Sequence, residues 1–550
     1  MNKLNRKLPQ VDPSHFAMVP RNDVPRSTFA TTHTVKTVLD TDFLVPIHVD
    51  EVLPGDVHDG TVTIFARLNN LIFPLMDNLT AETFFFFVPC RLVWNNWTKF
   101  MGEQTNPGDS TSYLIPQLAS PTGGFIVGGL ADNFGLPTVG QLQSGLSINV
   151  NALPFRAYNL IFNEWFRDEN LMNSVNVPKG DGPDTIADYN LERRCKKHDY
   201  FTSCLPWPLK GGVNVNLPIN GTANILTGLT DLVTGAHNPL RMLKTDGTQP
   251  AGATSLAFGT GGGARQQVGE GPAATAATTF LFPSNLYADL STATGASINA
   301  TRLAVATQQF LEKDARGGTR YTELLRNHFG VTPEDARLQR PEYIGGGRST
   351  VQTQAIPQTS ATKITGSDTQ LGSLTGQALV ADQHRFKYHA TEHGYIIGLL
   401  NVSGDVTYQQ GLHRMWSRQT RFDIAWPTFV NLGEQAVLRK EIYCRGDGVG
   451  GDDQTFGYQE RYAEYRYRPS RISGLFRSTA AGTLDTWHLS ERFTTPPGLN
   501  ATFIRQNTPS TRVLAAGNNA VGQEILYDSV FNIRCTRALP TYSVPGLLRF

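Results

Sequence analysis

The sequence predicts an all-β core: a double-sheet jelly roll of roughly eight strands, with large loop insertions carrying some helices. Three observations lead there. Segments of strand length and β-forming composition gather in the first quarter and last third of the 550-residue chain, while helical periodicity is confined to the middle. One early strand is apolar on both faces and must therefore be covered on both. A long, nearly uncharged stretch near the centre is too polar for a core. Strands at both ends imply one sandwich built from sequence-distant halves, with the middle inserted from its loops.

Six segments follow in chain order. Residues 1–42 are expected as an N-terminal arm and 43–110 as the first jelly-roll strands. Within the latter, 43–49 alternates around Pro46, and Leu53-Pro54-Gly55-Asp56 is a turn signal. A second strand at 61–68 puts Val62, Ile64 and Ala66 on one face. The third, 81–88, carries Phe84, Phe85, Phe86 and Phe87 and is the two-sided strand; a second sheet and an inserted segment or neighbouring subunit should cover it.

Residues 111–210 read as inserted loops and one helix. Phe155, Tyr158, Ile161, Phe162, Trp165 and Phe166 recur at helical spacing behind Pro154, a stripe suited to packing on the sheet. Residues 211–301 are expected to be a surface insertion. They hold 14 glycines and seven charged residues, which fits a slack linker or a surface excursion held by its own short strands. Residues 302–393 read as a helical and loop insertion, helical over 303–313, broken at Gly317-Gly318, and helical again over 321–329 on Leu324, Leu325 and Phe329. Residues 394–550 complete the jelly roll and end in a C-terminal arm. Strands are expected at 394–402, 423–430, 436–443, 459–468, 486–489 and 529–534, with a bulge near 463 where the tyrosine alternation changes phase.

Bulk composition narrows the function. Lys plus Arg is 48 and Asp plus Glu 47, a net charge of +1, which excludes a general nucleic-acid binder. Charged residues make up 17%, below the roughly 25% of ordinary soluble domains. Extensive surface buried against partners accounts for that, as does a Gly- and Thr-rich β protein with long loops. Five cysteines without a Cys-x-x-Cys argue against a disulfide framework or zinc site, leaving reduced, mostly buried thiols. With no secretory h-region and no bilayer-length apolar run, a soluble protein held in a reducing cytosol until release is expected, without membrane insertion.

Tempting catalytic motifs fail on mechanism. His389-Ala-Thr-Glu392-His393 matches the inverted zinc-protease pattern, which needs a helix to bring both histidines to one metal. Gly394 and the β-type run Tyr395-Ile396-Ile397 follow at once, and on a strand the histidines would sit roughly 13 Å apart. The Gly-rich 259–271 lacks the Gly-Lys-Ser/Thr of a phosphate loop. Asp447, Asp452 and Asp453 lack calcium-loop spacing and read as a solvated turn. No catalytic, cofactor or metal residues are assigned, and no enzyme activity is expected. Lys3, Arg6 and Lys7 precede the first acid, Asp12, and no acid follows Asp528. Such basic ends fit arms that touch a polyanion, or ordinary solvated termini; the three N-terminal cations are the candidate polyanion contacts.

Four stretches carry a family resemblance: GGTRYTELLRNHFGVTPEDARLQRPEYIGGG (317–347), HVDEVLPGD (48–56), FFFFVPCRLVWNNWTKFMGE (84–103) and FGYQERYAEYRYRPSRISGLFR (456–477). Together, in this order, they resemble the major capsid protein of small icosahedral single-stranded DNA phages, the microviruses, of gokushovirus type. The resemblance weakens between about 211 and 301. It implies a viral jelly roll and a structural subunit that assembles with itself into a T=1 shell around a circular single-stranded DNA genome. It also implies a minor DNA-pilot protein, a small internal or scaffolding protein, and a threefold protrusion at the position of 211–301. That segment is the expected contact with a host surface receptor. The rival readings are a lectin-like jelly roll and, weakest, an enzyme built on the His389–His393 motif.

Overall fold

The computed structural model describes residues 25–212, 297–359, 372–448, 451–514 and 524–542, with short strand segments within 224–289 and 362–369. The chain forms two compact units, Gly211–Glu312 and the remainder.

The larger unit is organised by eight strands: β1 (Ser27–Leu39), β2 (Val45–Val52), β3 (Val57–Leu68), β4 (Leu79–Pro89), β5 (Glu342–Thr350), β6 (Leu374–His389), β7 (Gly394–Gly404) and β8 (Ile525–Arg537). β1 pairs with β8, β2 with β7, β3 with β6 and β4 with β5, always antiparallel. This is the pairing of one long ribbon folded at its midpoint. Rolling the ribbon adds β8 to β3 and β7 to β4, giving the order β1-β8-β3-β6-β5-β4-β7-β2. The first four strands of that order make one sheet and the last four the other, a jelly roll. Between the sheets the backbone pairing of β5 with β6 is confined to Gly345↔Phe386 and Gly346↔Arg385. At the opposite seam His33 of β1 stacks on His48 of β2 at 5.7 Å, nearly closing the barrel.

β4 is buried on both faces, as the phenylalanine run requires. Phe85 and Phe87 join the core between the sheets with Ile64, Phe386, Ile396 and Phe531. Phe86 faces outward into a second core and is covered by the inserted segment rather than by solvent. The cover is helix α1 (Leu153–Ile161), continued as a π-turn over Phe162–Phe166. Both Phe86 and Phe162 are 1% exposed. Tyr158 donates to the Leu44 carbonyl at 2.9 Å, and buried Arg156 makes a bidentate pair with Asp184 at 2.6 and 2.7 Å. These polar clamps fix the insertion on the outer face of the β2-β7-β4-β5 sheet.

Several expectations need correction. β1 lies within the segment read as an arm: its Thr-rich sequence supplies β-branched residues but little apolar alternation. β5 and β6 lie within the segment read as helical and loop insertion. The Gly345-Gly346-Gly347 run is strand, and glycine is needed there: both Gly345 and Gly346 have φ near +150°, and a Cβ on Gly346 would meet the Thr83 carbonyl oxygen at 2.1 Å. In the last third, 394–402 and 529–534 lie in β7 and β8, but 423–430 and 486–489 are irregular segments around 3₁₀ turns at Pro427–Phe429 and Asp485–Trp487. The strand read at 436–443 stops at Leu438 and turns into a short helix, Arg439–Ile442. The 459–468 strand and its bulge are likewise absent: Thr455–Gln459 is strand, then Tyr462 takes φ 62° and Ala463–Tyr465 is a 3₁₀ turn.

Within Gly211–Glu312, three antiparallel pairs are nested: Asn224–Thr227 with Leu286–Asp289, Met242–Lys244 with Leu281–Pro283, and Ala257–Phe258 with Val268–Gly269. Helices expected at 303–313 and 321–329 are found as Ile298–Gly317 and Tyr321–Phe329.

Candidate functional site

Lys3, Arg6 and Lys7 lie outside the described residues, as does the Gly-rich 259–271 run apart from the short strand Val268–Gly269. His389 ends β6, exposed, and residues 391–393 form a bend rather than a helix. Glu392 is held by the Arg91 guanidinium at 2.6 and 3.0 Å, and His393 packs edge-on against Trp97. The helical geometry that the zinc-protease motif needs is therefore not formed. The Asp447–Asp453 turn is closed on itself: Asp452 accepts from the backbone of Arg445 and Gly446, and Asp447 pairs with Arg445. All five cysteines are free, with Cys90, Cys204 and Cys535 buried.

Among the described residues, one group has metal-ligand spacing: Asp56, His58 and Cys535. His58 Nε2 lies 3.7 Å from Asp56 Oδ2 and 3.6 Å from Cys535 Sγ. Arg537 already donates to Asp56 at 2.7 and 3.1 Å, neutralising its charge. Burial lowers the His58 pKa despite the nearby Asp50 and Asp56. The group acts as a charge-balanced clasp tying the 53–56 turn to the ends of β3 and β8.

What the larger unit presents outward is a set of apolar surfaces on different elements. On the uncovered face of the β1-β8-β3-β6 sheet, Val38, Leu526 and Phe65 lie on adjacent strands, all exposed. In the insertion before α1, Leu114, Ile126, Val127, Val139 and Leu146 are exposed. The third surface lies in the long connection between β7 and β8, where Trp416, Phe422, Trp426, Tyr465 and Tyr467 are 46–69% exposed. Apolar surface of this kind, on several sides of one subunit, is what symmetric assembly requires.

The third surface is rigidly built. Glu464 and Glu441 are buried beneath it. Arg418 pairs with Glu464 at 3.0 Å, and Arg414 with Glu441 at 3.3 Å. The Arg418 guanidinium also lies 4.4 Å over the Tyr465 ring. Backbone amides of Ala425 and Trp426 donate to the Tyr465 and Tyr462 hydroxyls at 3.3 Å, joining the two segments. Burial, then Arg468, Arg418 and Arg471, hold the His413 pKa down, so these cations converge on its ring. Sequence reading placed residues 459–468 of the 456–477 motif on a strand and so missed this surface; its signal was the interleaving of Arg with Trp, Phe and Tyr.

Comparison with known proteins agrees with the fold. Residues 17–547 match the family described as "Capsid protein (F protein)". The chain is 46% identical to capsid protein VP1 of Bdellovibrio phage phiMH2K, over 96% of this chain and 97% of that one. It is 42% identical to capsid protein VP1 of Chlamydia phage 1, over 99% of both chains. With capsid protein VP1 of Spiroplasma virus 4 the identity is 36%, over 100% of this chain and 99% of that one. The chain thus belongs to the capsid protein (F protein) family, in the gokushovirus-type microvirus branch its motifs resemble, and is a structural protein of the virion capsid.

Proposed function

We propose that this chain assembles with itself into a T=1 icosahedral shell enclosing a circular single-stranded DNA genome, formed in the bacterial cytoplasm before release. The observation that carries this reading is the near full-length match to capsid proteins of three phages, on a jelly roll with apolar surfaces on several sides. The shell role is structural and needs no active site. A minor DNA-pilot protein and a small internal or scaffolding protein are its expected partners. Residues 211–301 serve as the contact with a host surface receptor, and Lys3, Arg6 and Lys7 as sparse contacts to the genome. Expression of the chain with and without those partners, followed by negative-stain microscopy and nuclease-protected nucleic-acid analysis, tests this. Uniform closed particles that protect circular single-stranded DNA are expected; open sheets, tubes or soluble monomers under every condition would rule the shell out.

A further inference from the structure

We propose that Arg421, Arg468 and Arg471, with the rings of Trp416, Phe422 and Tyr467, form a binding surface for single-stranded DNA. This rests on the reading above that the shell encloses such a genome, and it names where the subunit grips it.

Charge is the first argument. Residues 413–432 and 461–477 together hold eight arginines against two acids, Asp423 and Glu464, a net charge of +6 in a chain whose total is +1. The acids are spent internally: Glu464 is 5% exposed and holds Arg418, while Asp423 accepts from the backbone amides of Gln419 and Thr420. Arg421, Arg468 and Arg471 are exposed, and none has a carboxylate within salt-bridge distance among the described residues. An isologous contact with a second copy would set two such surfaces against each other. A polyanion neutralises them.

Ring chemistry is the second. All eight cations are arginine, whose planar guanidinium stacks on bases as well as pairing with phosphate. Trp416, Phe422 and Tyr467 are 69%, 56% and 50% exposed. Arg421 already lies 4.8 Å over the Phe422 ring; flat rings interleaved with guanidinium groups that have no carboxylate partner are the platform on which unpaired bases stack while the backbone is neutralised, without sequence preference. Duplex DNA hides its base faces and would use only the charges. The framework is preorganised: the Trp426 indole donates to the Arg421 carbonyl at 2.7 Å, and Phe422 leans on Phe429 at 6.3 Å between centroids.

The test uses the full-length subunit and a fluorescent oligothymidylate of about 20 nucleotides, long enough to span such a site. Anisotropy is measured across a salt series, with a duplex of equal length as competitor. Replacing Arg421, Arg468 and Arg471 together with Gln is expected to weaken binding about tenfold or more at low salt. It should also flatten the slope of log K on log salt by about 2, near 0.7 per lost contact. Trp416→Ala should weaken binding about tenfold with the slope unchanged. Circular dichroism checks folding; if the triple variant does not fold, Arg421→Gln alone should still lower the slope by about 0.7. Wild-type affinity in the arginine variants overturns the proposal. Wild-type affinity combined with failure to form particles reassigns the surface to a contact between subunits. If the unaltered chain binds no oligothymidylate, this surface is overturned, while the genome-enclosing reading stands or falls separately on the nuclease-protected DNA of assembled particles; if it binds and these variants bind equally, only this surface is wrongly assigned.

Discussion

His48 sits where the two sheets close, among the rings of His33, Phe85, Phe386 and Phe531, and its Nε2 has no hydrogen-bond partner among the described residues. Burial first, then the neighbouring His33 and His58, push its pKa down from 6.5 to about 3. The unfolded chain binds this proton at its ordinary value, and the folded chain only near 3. Between those values the unfolded state holds more protons, so stability present above about pH 6.5 falls as pH drops, by at most about 1.4 kcal/mol per unit. Burial moves His58 and His384 in the same direction. Asp42, raised by burial to about 6, works the opposite way, since its folded form takes up the proton first. A His48→Leu variant isolates the one contribution, because leucine fills a similar volume without a titratable group. Thermal melts from pH 7.5 to 4 should show the variant losing distinctly less stability than wild type on acidification; parallel losses would mean that His48 is not the acid-sensitive group.

At the scale of elements, the 211–301 insertion is proposed to serve attachment and not assembly. Its own nested strand pairs account for its short strands without calling on the jelly roll. Exchanging 211–301 for a short Gly-Ser linker should therefore leave particles intact while abolishing adsorption to the host, measured by loss of free particles from the supernatant. Loss of particles makes the segment an assembly element, and retained infectivity removes its receptor role. How far such elements could be read from sequence depended on what each residue had to satisfy. β4 was legible because four consecutive phenylalanines demand cover on both faces, and α1 because its aromatic stripe keeps helical spacing. β1 was not, since threonines serve a pleated surface without announcing an inner face. β6 hid because buried His384 interrupts its apolar side, bonded instead to Thr83 and Ser349 at 2.7 and 2.8 Å. The opposite error fell on 459–468, where alternating tyrosine and arginine imitates a strand but decorates a surface of turns. The same misreading hid the arginine–aromatic surface, whose residues were visible while their shared face was not. Lys3, Arg6 and Lys7 lie outside the described residues, so their role rests on charge order alone.

At the scale of the whole molecule, charge balance sets what the subunit can do for a genome. A chain of net charge +1 cannot neutralise a polymer with one negative charge per nucleotide, so counterions or a basic partner must supply most of the compensation. What the chain adds is local. The +6 of the arginine–aromatic segments implies that the remaining residues are net acidic, which keeps non-specific condensation weak while leaving defined points of contact. Lys3, Arg6 and Lys7, three cations ahead of the first acid, are proposed as the other such point. Contacts of this type act through phosphates and carry no base preference. Changing all three to Gln should lower the DNA packaged per particle, or the melting temperature of filled particles, at low ionic strength. The deficit should shrink as salt is raised, because screening removes from wild type what the substitution removed from the variant. Empty particles supply the control: their stability should be unaffected, since no phosphate is present to contact. Equal packaging and an equal salt response in both chains would make the N-terminal segment an ordinary solvated end and leave the folded surface as the subunit's own grip on the genome.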